Sequence, residues 1–89
     1  MEKQKIVFVI NPISGDKDKS KLIEHIKNQT EKHHFDYQIY RTKGKNDDEQ
    51  LSALIYRHQP QIAVAAGGDG TVNLVARTIK YKNICLGII

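Results

Sequence analysis

The sequence predicts an α/β fold, a parallel sheet between helices on both faces in the order β-α-β-α-β-α-β. Three observations carry this. Residues 5–10 and 61–66 are apolar almost throughout instead of alternating, as strands buried on both faces are. The stretches between such runs place apolar residues at helical spacing. Turn signals, Asn11-Pro12 and Gly67-Gly68 above all, stand where the strands would end. Strands alternating with helices imply right-handed crossovers and three layers.

The first strand is the run after Lys5, and Asn11-Pro12 stops it. Residues 11–15, Asn11-Pro12-Ile13-Ser14-Gly15, form the loop at its carboxyl end. Asp16 or Asp18 is placed to cap the first helix, whose core side is Leu22, Ile23, Ile26 and Thr30. His33 and His34 fall near its C-terminus. Phe35, Tyr37 and Ile39 alternate with polar residues, the pattern of a half-exposed strand near a sheet edge. Residues 41–45 form the next loop. Asn46, Asp47 or Asp48 can cap the second helix, with Leu51, Leu54, Ile55 and His58 on its apolar side and Pro60 beyond its end. Residues 61–66 are the third strand, where small Ala65 and Ala66 leave room for the turn that follows. The third helix starts at Gly70 or Thr71 and runs to Lys80, with an apolar stripe of Val72, Val75, Ala76 and Ile79. Asn83 begins the last turn, and residues 84–88 are the fourth strand. In such a Rossmann-like sheet the loops at the strands' carboxyl ends gather on one edge, where ligands bind. Loops 11–15, 41–45 and 67–73 thereby converge.

Composition narrows the class. With 89 residues and 39% hydrophobic content, the chain is a small globular domain that buries roughly 60–65% of its unfolded surface. No apolar run reaches the ~20 residues that span a bilayer, and no signal-peptide pattern is present. Cytoplasmic location is expected. Cys85 is the single cysteine, which excludes an internal disulfide and reads as a small buried strand residue. The net charge of +4 favours anionic partners. The lysines are scattered without aromatic interleaving, so no nucleic-acid partner is expected. Lys17, Lys19 and Lys21 read as a solvated helix start beside the first loop. The four histidines lack partners at zinc spacing, and the four tyrosines read as packing residues. The chain stops inside the apolar run 84–89, from which an N-terminal piece of a longer protein is expected. The sheet edge and the final strand are candidate surfaces for homo-oligomerisation.

The chemistry concentrates in Gly67-Gly68-Asp69-Gly70-Thr71-Val72-Asn73. A strand, a glycine-rich turn and a helix make a phosphate site, because unpaired N–H groups and the helix dipole point at the anion. Asp69 conflicts with that: a carboxylate repels phosphate unless a divalent metal lies between them or the carboxylate takes a proton. Two familiar motifs fail. A P-loop needs glycine directly before Lys-Ser/Thr, yet Lys19-Ser20 follows Asp18. A dinucleotide fingerprint from Gly68 needs glycine or alanine where Asn73 stands.

Taken together, Asn11-Pro12-Ile13-Ser14-Gly15 after strand one and Gly67-Gly68-Asp69-Gly70-Thr71-Val72-Asn73 after strand three resemble the catalytic domain of the diacylglycerol kinase family, which includes bacterial lipid kinases and sphingosine kinases. Leu86-Gly87-Ile88-Ile89 is similar to the run before a further nucleotide loop in that family. The resemblance implies a lipid kinase of two domains, with residues 1–89 as the N-terminal nucleotide-binding portion and a β-rich lipid-binding domain outside them. It implies ATP and Mg²⁺ as cofactors and a lipid acceptor met at the membrane surface by peripheral association. Asn11, Pro12, Ile13, Ser14 and Gly15 would meet nucleotide phosphates or their water shell, and Thr42 would contact nucleotide. Gly67, Gly68, Gly70 and Thr71 would cradle phosphates, with Val72 and Asn73 at the helix start. Asp69 would be the catalytic acid, metal-linked to Mg²⁺ directly or through water, ahead of a role as general base or as a mere helix cap. Asp47-Asp48-Glu49 departs from the small residue usual there. The alternatives are an NAD kinase, which shares the glycine motif but not the first loop, and a non-catalytic nucleotide-sensing module.

Overall fold

Five consecutive buried residues, Ile6 to Ile10, put β1 (Lys5–Ile10) inside the sheet. The computed structural model describes residues 4–14 and 17–89, with side chains outside 13–18. After β1 come β2 (Ile13–Ser14), β3 (Lys17–Asp18), α1 (Ser20–Lys32), β4 (Asp36–Arg41), α2 (Asp47–His58), β5 (Ile62–Ala66), α3 (Asp69–Ile79) and β6 (Cys85–Ile88). The four long strands form one parallel sheet in the order β4-β1-β5-β6. This is the expected Rossmann-like α/β architecture.

The period-two alternation of β1 divides the core. Val7 and Val9 face Leu51 and Ile55 of α2 and Leu74, Val75 and Ile79 of α3. Ile6, Phe8 and Ile10 face Ile23 and Ile26 of α1. The chain leaves β1 toward β4 on one side and returns past it to β5 on the other. Right-handed crossovers then force α1 onto one face and α2 and α3 onto the other. The helices that follow β1 and β5 lie on opposite faces, so the carboxyl edge beside them is left uncovered.

Several boundaries differ from expectation. Residues 13 and 14 are not plain loop: β2 and β3 pair antiparallel, Ile13 opposite Asp18 and Ser14 opposite Lys17. The Lys19 N–H donates to the Pro12 carbonyl at 3.3 Å. Asp18 is therefore a strand residue and not a helix cap; α1 starts after Lys19 with no side-chain cap bond. Asp16 lies outside the described residues. Helix α3 begins at Asp69, earlier than expected. Its buried residues are Thr71, Leu74, Val75, Thr78 and Ile79; Val72 is half-buried and Ala76 exposed. The two threonines explain the rotation. Thr78 Oγ1 donates to the Leu74 carbonyl at 2.7 Å, so a hydroxyl can enter the core without an unmet bond.

The sheet edges also differ. β4 lies at an edge, as the alternation of Phe35, Tyr37 and Ile39 implies. β6 is the other edge, and it is not the buried strand its apolar sequence suggests. Leu86, Ile88 and Ile89 are exposed, and so is Cys85. Among the described residues β6 has β5 as its single sheet neighbour, while α1 packs on β4 at the far side of the sheet. Tyr56 and Tyr81 are likewise exposed instead of packed. No helix of the described residues is long and apolar enough to cross a membrane.

The close approach of the residues that follow β1 and β5 makes Gly67 necessary for packing. The Asn11 N–H donates to the Ala66 carbonyl at 3.2 Å, drawing the two loops together. A Cβ on Gly67 would stand 2.6 Å from Thr71 Oγ1 and 3.3 Å from Asn11 Cβ. Thr71 is buried and has little room to give. Gly67→Ala is expected to cost about 1–3 kcal/mol through this overpacking, read as a lower urea midpoint at unchanged slope.

Candidate functional site

A cleft of about 690 Å³ opens at the carboxyl edge of the sheet. Asn11 and Pro12 reach it from the end of β1, and Thr42, Lys43 and Gly44 from the loop after β4. Asn46, Asp47 and Asp48 come from the start of α2, and Gly68, Gly70, Thr71, Leu74 and Arg77 from α3 and its cap. The three loops expected to converge do so. The Thr42 N–H donates to the Ile10 carbonyl at 2.9 Å, which ties the second loop to the end of β1.

The remaining candidate residues stand elsewhere. Gly67 packs behind the cleft, between the β1 and β5 loops. Asp69 is exposed beside the cleft as the first residue of α3. Val72 packs against the core, and Asn73 is exposed; neither lines the cleft. The backbone of Ile13 and Ser14 lies in β2, their side chains fall outside the description, and Gly15 lies outside the described residues.

The glycines of the motif divide by cause. Gly67 is demanded by the fold. Gly68 and Gly70 have no positive φ, and an added Cβ would meet nothing within 4 Å at either. Both line the cleft, so their missing side chains keep open space in front of backbone. Gly68 occupies the cap position of α3 in extended conformation, and no side chain caps the helix. The N–H groups of Thr71 and Val72 turn back to the Gly68 carbonyl at 3.0 and 3.2 Å. The N–H groups before Thr71 have no carbonyl within the helix to reach, and the positive end of the dipole lies there. Asp69 sits one position inside the helix and is not its cap, so the capping role does not account for it.

The family model for the diacylglycerol kinase catalytic domain matches residues 5–89. The chain belongs to that family. A search of curated proteins finds no match. Membership carries a kinase, a phosphotransferase, as the general activity. The cleft suits the cofactors of such a domain. Bare backbone at Gly68 and Gly70 would leave room for phosphate oxygens. Mg²⁺ usually takes one or two carboxylates together with substrate phosphates and water, and Asp69, exposed at the start of α3, would offer one such carboxylate. Among the described residues no group of three His, Cys, Asp or Glu side chains could hold a metal.

The wall opposite the cradle was read in the sequence only as a loop and a helix cap. Neither Asn46 nor Asp47 caps by its side chain; Asn46 takes the left-handed conformation with φ 59° and makes no cap bond. Asp47 instead reaches backward. Its carboxylate accepts from the Lys43 and Gly44 N–H groups at 2.9 and 2.8 Å and from the Tyr40 hydroxyl at 2.6 Å. Gly44, at φ 82°, makes the turn that aims its N–H inward. The kinase domain thus holds its second cleft loop on a carboxylate anchored in the core by a buried tyrosine. Burial opposes ionisation of Asp47, but the Tyr40 bond, the two backbone bonds and the Lys43 charge outweigh it and lower its pKa. Burial, then the bond and charge of Asp47, push the Tyr40 phenol up to about 12. Asp48 pairs with Arg77 across the cleft at 3.1 Å. Arg77 carried no motif signal; its spacing from Gly70 and Leu74, i, i+4 and i+7 on one helix, was the usable clue.

The two shifts fix opposite ends of a pH profile. Tyr40's folded pKa is raised from 10.0 to about 12, so its contribution is complete below pH 10 and is lost as pH rises toward 12. Asp47's is lowered from 3.8, so its contribution is present above that value and is lost as pH falls through the folded value. Tyr40→Phe is expected to delete the highest-pH step of the phenolate absorbance titration. It should also flatten the alkaline fall in stability between these limits.

Proposed function

We propose that this chain is the nucleotide-binding portion of an ATP-dependent lipid kinase, which moves the γ-phosphoryl group to a hydroxyl of diacylglycerol or a related lipid. The carrying observation is the open space at Gly68 and Gly70, two glycines that the fold itself does not require. Backbone N–H groups at the start of α3 bind the phosphates, and the Thr71 hydroxyl adds a donor. Asn11 and Thr42 contact the nucleotide from the other two loops. Asp69 holds Mg²⁺ directly or through water, and the metal supplies neutralisation of charge developing on the phosphates. Phosphoryl transfer asks the protein mainly for position and charge, and these residues provide both. The acceptor is met at the membrane surface by peripheral association from the cytoplasm. Residues 1–89 supply the nucleotide half of the site, so kinase activity is expected of the whole protein and not of this chain alone.

Gly70→Ala separates the fold from the site. Glycine within a helix costs roughly 0.5–1 kcal/mol relative to alanine, so the variant should melt slightly higher. The new methyl enters the phosphate cradle, and ATP affinity should fall roughly tenfold by calorimetry. Unchanged affinity would remove the phosphates from this position. In the whole protein, Asp69→Asn is expected to lower kcat by about 10²-fold or more, the scale seen when a group facing developing charge is lost. Fold and ATP binding should largely survive, and near-normal turnover would refute the metal-linked role. An acceptor assay with NAD against diacylglycerol distinguishes this kinase from an NAD kinase.

A further inference from the structure

The α3 wall of the cleft carries three chemically different surfaces in one line. Gly70, Leu74 and Arg77 occupy i, i+4 and i+7 on the helix, and all three line the cleft. At 1.5 Å per residue, Leu74 lies about 6 Å and Arg77 about 10 Å along the axis from Gly70. Gly70 offers bare backbone with open space before it. Leu74 offers a sliver of apolar side chain, 5% exposed, at the floor. Arg77 offers a guanidinium whose orientation is set. Its Nε and Nη2 donate to Asp48 Oδ1 at 3.3 and 3.1 Å, and Nη2 reaches Oδ2 at 3.5 Å. Several bonds from one planar group to one carboxylate fix the plane as well as the charge. Asp48 belongs to the first turn of α2, so the brace joins the two helices that flank the cleft.

Asp48 already neutralises Arg77, so the pair has no surplus positive charge to offer a phosphate. It does offer a planar guanidinium, and the side chains of the pair are 59% and 63% exposed, so that plane is accessible. Guanidinium planes stack on aromatic rings. We propose that Arg77, braced by Asp48, is the platform on which the base of the bound nucleotide stacks. The proposal rests on the nucleotide reading above. Along α3, phosphate then lies at Gly70, sugar over Leu74 and base at Arg77, a succession that follows the order of parts in a nucleotide. Arg77 is thereby a specificity-determining residue. It separates nucleoside polyphosphates from bare polyphosphate, with little preference among bases, since every base has a π face.

The test compares Mg-ATP with inorganic tripolyphosphate, titrated calorimetrically into the full chain and into its Arg77→Met, Arg77→Lys and Asp48→Asn variants. An exposed ion pair contributes little to stability, and thermal unfolding verifies that each variant is folded. Arg77→Met and Arg77→Lys are expected to weaken ATP binding roughly five- to tenfold, while tripolyphosphate stays within about twofold of wild type. These sizes reflect the usual worth of base stacking. Asp48→Asn should weaken ATP in the same direction by releasing the plane. If Arg77→Lys retains ATP affinity, or tripolyphosphate falls in step with ATP, the residue acts as a point charge and the platform is overturned. If wild type binds ATP and no variant alters it, the platform alone fails. If wild type binds neither ligand, the nucleotide reading fails and the platform with it.

Discussion

The site depends on one close approach, that of the β1 and β5 loops at the carboxyl edge of the sheet. The Asn11 N–H is bonded to the Ala66 carbonyl, and Gly67 has no room for a side chain against Thr71 and Asn11. That contact is possible because the chain leaves β1 toward β4 and returns to β5 on its other side. The same reversal sends α1 to one face and α2 and α3 to the other, and the cleft lies between the α2 and α3 walls at the end of β1. A sheet wound in one direction would place the next helix over this gap.

Among the described residues, the carboxylates around the cleft are engaged in different ways. Asp47 is engaged inward, on Tyr40 and the backbone of Lys43 and Gly44. Asp48 is engaged by Arg77. Among the described residues Asp69 has no such partner. An acidic residue at a helix N-terminus interacts favourably with the dipole, so Asp69 is tolerated by the fold while remaining available. The apparent excess of acid in the 47–49 segment is therefore no obstacle to an anionic ligand. Two of those carboxylates are structural, and they hold the walls in place.

Much of the architecture was legible because it follows from local periodicity. The unbroken apolar run of β1, the alternation in β4 and the glycine turn after β5 each specify an element without reference to any other. The convergence of loops 11–15, 41–45 and 67–73 followed from the parallel order alone. Asn11, Pro12, Thr42, Gly68, Gly70 and Thr71 do meet at one cleft. What was not legible depends on contacts between elements. The β2–β3 pair is two residues a side, too short for any periodic signal. The rotation of α3 toward Thr71 and Thr78 required knowing that a hydroxyl can bond the carbonyl one turn back. The exposure of Cys85 and Leu86 came from β6 being an edge, which its apolar sequence does not show.

The sequence by itself determined the order of elements, the parallel sheet and the glycine cradle, because these are written in spacing of two, in spacing of three to four, and in residues without a Cβ. Only the tertiary structure decided which of these glycines the packing requires. Gly67 is walled in, while Gly68 and Gly70 face open space, and that difference lies in neighbours distant in sequence. It likewise decided that Asp47 turns back into the loop, that Asp48 crosses to Arg77, and that Asp69 is left beside the cradle.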